Sequence, residues 1–214
     1  MDGTRIADGV AERMVAVAGA ELRVWEKGRG APIIVLPGFG GAARWTAFME
    51  ALAATRRVVV PSLPGFPGGA RAHERLDTHL DWILAARDLA TAAAGADVRE
   101  FDLVGISVGG ALAAEIAALW PPLVRRLILV APFGLCDDRA PPFDVFAVKP
   151  GTGGDHLCAD PKRFAAHIVA PEGADALEWD IGIVRANEAA ARILWPLGDT
   201  GLAKRLSRIV APTL

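Results

Sequence analysis

The run Gly105-Ile106-Ser107-Val108-Gly109 constrains this chain more than any other stretch, because it places a serine between glycines where a strand meets a helix. Before it stands the apolar Phe101-Asp102-Leu103-Val104, and after it the helix-forming Ala111-Leu112-Ala113-Ala114-Glu115-Ile116. A strand that turns sharply into a helix leaves no room for a Cβ where the two approach, so the flanking positions must be glycine and the serine hydroxyl is held up at the bend. With three serines and 23 glycines in 214 residues, about 0.03 such matches are expected by chance. Ser107 is the candidate nucleophile, and Gly105 and Gly109 are its supporting glycines.

The segments around this bend alternate. Arg13–Val17 and Leu22–Glu26 read as an opening antiparallel pair across the small turn Gly19-Ala20-Glu21. Pro32–Leu36, Val58–Val60 and Leu127–Val130 are continuously apolar, as strands covered on both faces must be. Helical patterns lie between them near 44–54, 74–94 and 110–119, which predicts an α/β architecture with a mostly parallel sheet and helices on both faces. In the second helix Leu76, Leu80, Ile83, Leu84 and Leu89 are expected to face the sheet, with Glu74, Asp77, Asp81 and Arg87 outward.

After Ala131-Pro132-Phe133-Gly134 the texture changes. Pro141, Pro142, Pro150, Gly151, Gly153 and Gly154 interrupt any long element until Asp160-Pro161, where a helix is expected to start. The expected division is a core over 1–134, an inserted cap over 135–198, and a return to the core over 199–214 through a short amphipathic helix at Leu202–Ser207.

Four motifs occur in order: Leu36-Pro37-Gly38-Phe39-Gly40-Gly41, Pro61-Ser62-Leu63-Pro64-Gly65-Phe66, the glycine-flanked serine, and Leu129-Val130-Ala131-Pro132-Phe133-Gly134. Together they resemble the α/β-hydrolase family, in particular capped serine hydrolases of the esterase and C–C hydrolase type. The resemblance implies an α/β-hydrolase fold with a helical cap insertion. It also implies a serine hydrolase that forms an acyl-enzyme on Ser107 with a small apolar ester or related acyl substrate. Backbone N–H groups must then hold the oxyanion of the tetrahedral intermediate. Val108, at a helix N-terminus, and Phe39, in the loop after the third strand, are the expected donors, with Gly38 and Gly40 letting that loop curl. Family members often carry His-Gly at that loop, whereas this chain has Pro37-Gly38.

In the family the triad acid follows the seventh strand and the histidine the eighth, in the order Ser, acid, His. Ile209–Leu214 resembles the beginning of that seventh strand, so the chain is expected to be C-terminally incomplete by roughly 60 residues, weak or inactive alone, and to leave the sixth strand as an exposed edge. Asp137 and Asp138 resemble an alternative acid position, against a plain reading as a solvated turn. The histidines His73, His79, His156 and His167 are expected to be solvated or capping, and none stands at the family's position. The alternative to an enzyme is a ligand-binding pseudoenzyme of the same fold.

Other classes are disfavoured. Gly38-x-Gly40-x-x-Ala43 matches the local dinucleotide fingerprint, yet the acid expected about 20 residues on is replaced by Val60-Pro61-Ser62. No phosphate-binding Gly-Lys-Ser/Thr and no His-Glu-x-x-His occurs, and Cys136 and Cys158 form no zinc pattern, so no cofactor and no metal are expected. A net charge of −2 without charged blocks argues against nucleic acid. The apolar runs fall short of the roughly 20 residues a bilayer requires, so a cytoplasmic protein with a small acyl substrate is expected. Oligomeric state is not legible. Trp179, Trp195, Phe143, Phe146 and Phe164 fall in the cap stretch, where a minority are expected to line a pocket and the rest to be core.

Overall fold

The computed structural model describes residues 7–148, 154–162, 165, 170 and 173–214. Strands β1 (Ala11–Val17) and β2 (Ala20–Lys27) form a hairpin. Its turn residues Ala18 and Gly19 both have positive φ, as the right-handed twist of the strands demands of a two-residue turn. Then follow β3 (Pro32–Leu36), α1 (Ala47–Ala53), β4 (Arg57–Pro61), α2 (His79–Ala94), β5 (Phe101–Ile106), α3 (Val108–Leu119) and β6 (Val124–Val130). The sheet order is β1-β2-β4-β3-β5-β6, antiparallel up to β4 and parallel from there.

Side chains on the central strands alternate between two cores, which is why those strands read as unbroken apolar runs. Ile34, Val59 and Leu103 point to the layer built by α2 and α3, where Trp82, Leu89, Leu112 and Ile116 are buried. Ile33, Val35, Val58, Val60 and Val104 point to the opposite layer, which contains Met49 of α1. The chain runs outward from β3 to β4 on one side and from β5 to β6 on the other. Order therefore reverses between β3 and β5, and in such sheets a crevice opens there beyond the carboxyl ends of the strands.

Several expectations need correction. Leu80 is 55% exposed rather than packed, because α2 buries Trp82 and Ile83 instead. Thr78 caps α2 in a reciprocal pair with Asp81. Leu202–Lys204 and Leu206–Arg208 are two 3-10 turns, not one amphipathic helix. Past β6, one helical turn, α4 (Gly154–Leu157), precedes the 19-residue α5 (Ala176–Leu194). The helix expected at Asp160-Pro161 runs into residues outside the described set. The edge of β6 is not bare: Leu127 and Leu129 donate N–H bonds to Pro212 and Leu214 carbonyls at 3.0 and 2.8 Å, and Leu214 N–H returns one to Leu127 at 3.0 Å.

At the opposite, amino end of the strands, Asp102 is nearly buried beneath three arginines. Arg125 binds it bidentately at 2.8 Å per bond, with Arg56 and Arg126 at 3.6 and 3.7 Å. Burial alone would raise its pKa, but the three guanidiniums prevail and hold it below the ordinary aspartate value. Asp102→Asn removes the carboxylate that these three arginines share. It is expected to cost about 2 kcal/mol, less than for a fully buried pair because the arginines remain partly hydrated. Urea unfolding checks this: the midpoint falls, and added salt narrows the gap by screening the arginines. An unchanged midpoint would show the cluster to be energetically neutral.

Candidate active site

Ser107 sits between β5 and α3 with φ +51° and ψ −115°, a conformation that an L-residue adopts only under constraint, at a cost of about 1–3 kcal/mol. Its backbone supplies the constraint. The Ser107 N–H donates to Val130 O of β6 at 2.9 Å, and its carbonyl accepts from Ala111 N–H at 3.0 Å and Phe133 N–H at 3.3 Å.

The glycines do steric work. A Cβ on Gly105 would lie 2.5 Å from Ala113 Cβ and 2.6 Å from Gly109 O. One on Gly109 would lie 2.5 Å from Pro37 O and closer still to Leu36 O. Gly110, which the motif does not include, is also constrained, though less tightly: its Cβ would meet Pro132 Cβ at 2.9 Å. These contacts pack α3 against the ends of β3 and β5 and fix the direction in which Ser107 projects.

The β3–β5 register pairs Leu36 with Gly105, which carries the next residues of both strands into adjacency. Gly38 accordingly lies against the serine, its virtual Cβ 3.3 Å from Ser107 Cβ. Gly41 N–H closes a turn onto Gly38 O at 2.9 Å, outside which the Phe39 N–H is left, and Gly40 holds φ +85°. Val108 is the first residue of α3, whose opening N–H groups have no partner within the helix and carry the positive end of its dipole. Ser107, Val108, Gly38 and Phe39 are thus brought together beyond the carboxyl ends of β3 and β5, where the strand order reverses. Phe39 is 40% exposed, and its ring leans on Phe146 with centroids 6.1 Å apart.

The other candidates lie elsewhere. Asp137 is exposed and engaged by Arg139, whose Nε and Nη2 each donate to it at 3.1 Å and whose hydrogen bonds pull its pKa down. Asp138 is exposed on the same loop. His73, expected to be solvated or capping, is fully buried and faces Glu188 of α5 at 3.5 Å. It was drawn inward because α5 covers the loop after β4: a Cβ on Gly65 would meet both His73 and Ala189 at 2.6 Å. His79 is likewise not a cap and lies 3.8 Å from Glu115. His156 stacks on Phe143 at 4.2 Å, and His167 is outside the described residues. Among the described residues no histidine or carboxylate contacts Ser107, no group of three ligands could hold a metal, and no helix is long and apolar enough to cross a membrane. Cys136 and Cys158 are free thiols.

Sequence reasoning missed the most deeply buried charge near the site. Glu115, on α3 two turns from Ser107, is 1% exposed and gripped by Arg205 through bonds of 2.7 and 2.5 Å. Burial by itself would raise its pKa, but contacts from His79 and Arg205 win and lower it. A lone acid in the otherwise apolar run Ala111–Leu119 was the available signal. Arg205 also donates to Thr200 O at 2.9 Å, and Arg208 to Ala118 O at 3.0 Å, so the segment after α5 is tied to the helix that begins at Ser107.

A family model described as alpha/beta hydrolase fold matches residues 31–151. A 2-hydroxy-6-oxo-2,4-heptadienoate hydrolase of Pseudomonas putida is 30% identical over 174 residues, 76% of this chain and 60% of that protein. The dihydrolipoyllysine-residue acetyltransferase component of an acetoin cleaving system, also of Pseudomonas putida, is 37% identical over 138 residues, 62% of this chain and 36% of its own length. The chain thus spans 36% and 60% of these two curated relatives. Among solved structures, a bacterial membrane phospholipase A superposes with TM-score 0.66 at 25% identity, covering 96% of this chain and 68% of that one. A serine hydrolase involved in carbazole degradation gives TM-score 0.68 at 23% identity, covering 95% and 78%, a likeness of fold.

Proposed function

The chain belongs to the α/β-hydrolase fold family, and from that premise we propose that it carries the nucleophile half of a serine hydrolase acting on a small, largely apolar ester or related acyl substrate. The observation that carries the reading is the positive-φ Ser107 at the start of α3 with Gly38 against its side chain. In the proposed reaction Oγ attacks the acyl carbon while its proton passes to a base, giving a tetrahedral oxyanion. The N–H groups of Val108 and Phe39 receive that oxyanion, and its collapse expels the leaving group and leaves the acyl-enzyme. Water then releases the acid. In this reading the described part of 135–198 supplies a cap beside the serine, the Phe146 ring lying against Phe39, and a relative named as a 2-hydroxy-6-oxo-2,4-heptadienoate hydrolase supports hydrolytic chemistry there.

A serine hydroxyl without an oriented base is a poor nucleophile, and catalytic groups act as a unit. Turnover by these 214 residues is therefore expected to be slow. The test is hydrolysis of 4-nitrophenyl acetate by the purified chain beside Ser107→Ala. The expected result is a slow rate above background that the substitution abolishes. A rate that survives Ser107→Ala contradicts the assignment. Complete absence of a Ser107-dependent rate, with ligand binding retained, favours the non-catalytic binding reading.

A further inference from the structure

Ser107 shares its left-handed backbone with Ala131, the residue just past β6, whose φ is +43°. The two strained positions are bonded into one another's surroundings. The Ser107 N–H donates to the carbonyl of Val130, which precedes Ala131, and the Ser107 carbonyl accepts the N–H of Phe133, which follows it by two. The bonds to Val130 and Ala111 reach a strand and a helix, whereas the longer one, from Phe133 at 3.3 Å, comes from irregular chain. Where the loop 131–134 lies therefore decides whether the third bond on the serine backbone is made.

That loop is held from outside the sheet. Thr200 Oγ1 donates to Gly134 O at 3.1 Å, and the buried Leu202 closes over Gly134, where a Cβ would meet its Cδ2 at 3.0 Å. Thr200 is itself held twice: its Oγ1 accepts the Leu202 N–H at 3.4 Å, and its carbonyl accepts from Arg205 Nη2 at 2.9 Å. Arg205 in turn grips Glu115 of α3, the helix that begins directly after Ser107. The contacts close a circuit from Ser107 through Phe133 and Gly134 to Thr200, Arg205 and Glu115, and back along α3 to the serine. A strained residue persists only where its surroundings over-determine it, and the one link in this circuit made by a neutral side chain is the Thr200 hydroxyl. We propose that Thr200 is a positioning residue for the nucleophile: by holding Gly134 O it keeps the Phe133 N–H on the Ser107 carbonyl and so fixes the direction in which the serine side chain projects. The inference rests on the acyl-transfer reading for what Ser107 does, and on the backbone geometry alone for what Thr200 does. Losing one neutral hydrogen bond costs a fold little, whereas a displaced nucleophile costs much of its rate, so the two roles separate by experiment.

The test compares Thr200→Val, which keeps the branched shape and removes the hydroxyl, with Thr200→Ser, which retains it. Two quantities are measured on the full chain: amide hydrogen exchange at Phe133, and the rate constant for phosphonylation of Ser107 by an alkyl fluorophosphonate. In Thr200→Val the exchange is expected to quicken about ten-fold and the labelling to slow about ten-fold. Thr200→Ser is expected to restore both to within about two-fold of the native values. Asp102→Asn, at the far end of the sheet, is expected to lower the urea midpoint more than Thr200→Val does while leaving both quantities unchanged, which sets positioning apart from a general loss of stability. Native-rate labelling of folded Thr200→Val, unchanged exchange at Phe133, or failure of Thr200→Ser to restore them would each overturn the inference. A native chain that takes no label at Ser107, but whose Phe133 exchange responds to Thr200→Val and recovers in Thr200→Ser, would strike the acyl-transfer reading and leave the positioning role standing.

Discussion

Gly109→Ala is expected to destroy the bend at Ser107 and to cost the fold at least about 4 kcal/mol, the range of severe overpacking combined with backbone strain. The added methyl would sit 2.5 Å from Pro37 O and nearer still to Leu36 O, against backbone that cannot yield without separating α3 from β3. Gly40→Ala is the control, since a Cβ there meets nothing within 4 Å and only the φ of +85° opposes it. About 1 kcal/mol is expected for that change. Thermal or urea unfolding of both variants separates close packing from conformational strain, and equal losses would contradict the packing argument.

The second large effect is expected at Arg205. Arg205→Met leaves Glu115 buried without its bidentate partner, and removing one member of such a pair costs about 3–5 kcal/mol. The pH dependence has a defined sign. In the native chain the Glu115 pKa is lowered on folding, so its contribution is present above the ordinary glutamate value and is lost as pH falls through the lowered one. In the variant the lowering contributed by Arg205 is lost while that of His79 remains, so less stability is lost on acidification. The stability gap between native chain and variant should therefore narrow as pH falls below the ordinary glutamate value. A gap that widens on acidification would show that Arg205 does not govern this carboxylate.

What the sequence made legible follows from which forces are local. β3 was read residue for residue at Pro32–Leu36 because a strand covered on both faces admits only apolar side chains. The Ser107 bend was legible because only glycine fits beside it. Interactions between distant segments were not. His73 and Glu188, or Glu115 and Arg205, are 90 or more residues apart and reveal themselves only once α5 and the 3-10 turns fold back over the sheet. Trp82 hid in the same way, since a helix stripe fixes which face is apolar to within one residue and the sheet chose Trp82 over Leu80. Trp195, placed in the cap stretch by sequence, is exposed, and Phe143 is exposed with it. Phe164 lies outside the described residues, and Trp179 is half-buried.

Covalent trapping tests the central claim most directly. An alkyl fluorophosphonate offers a tetrahedral centre whose oxygen mimics the oxyanion, and a serine poised against backbone N–H donors attacks phosphorus, loses its proton to solvent, expels fluoride and retains the phosphonyl adduct. Peptide mass spectrometry of the treated chain is expected to show a single phosphonylated site, the peptide containing Ser107, with no label in Ser107→Ala. Label distributed over Ser62 and Ser207, or absent from Ser107 in a folded sample, would contradict the account.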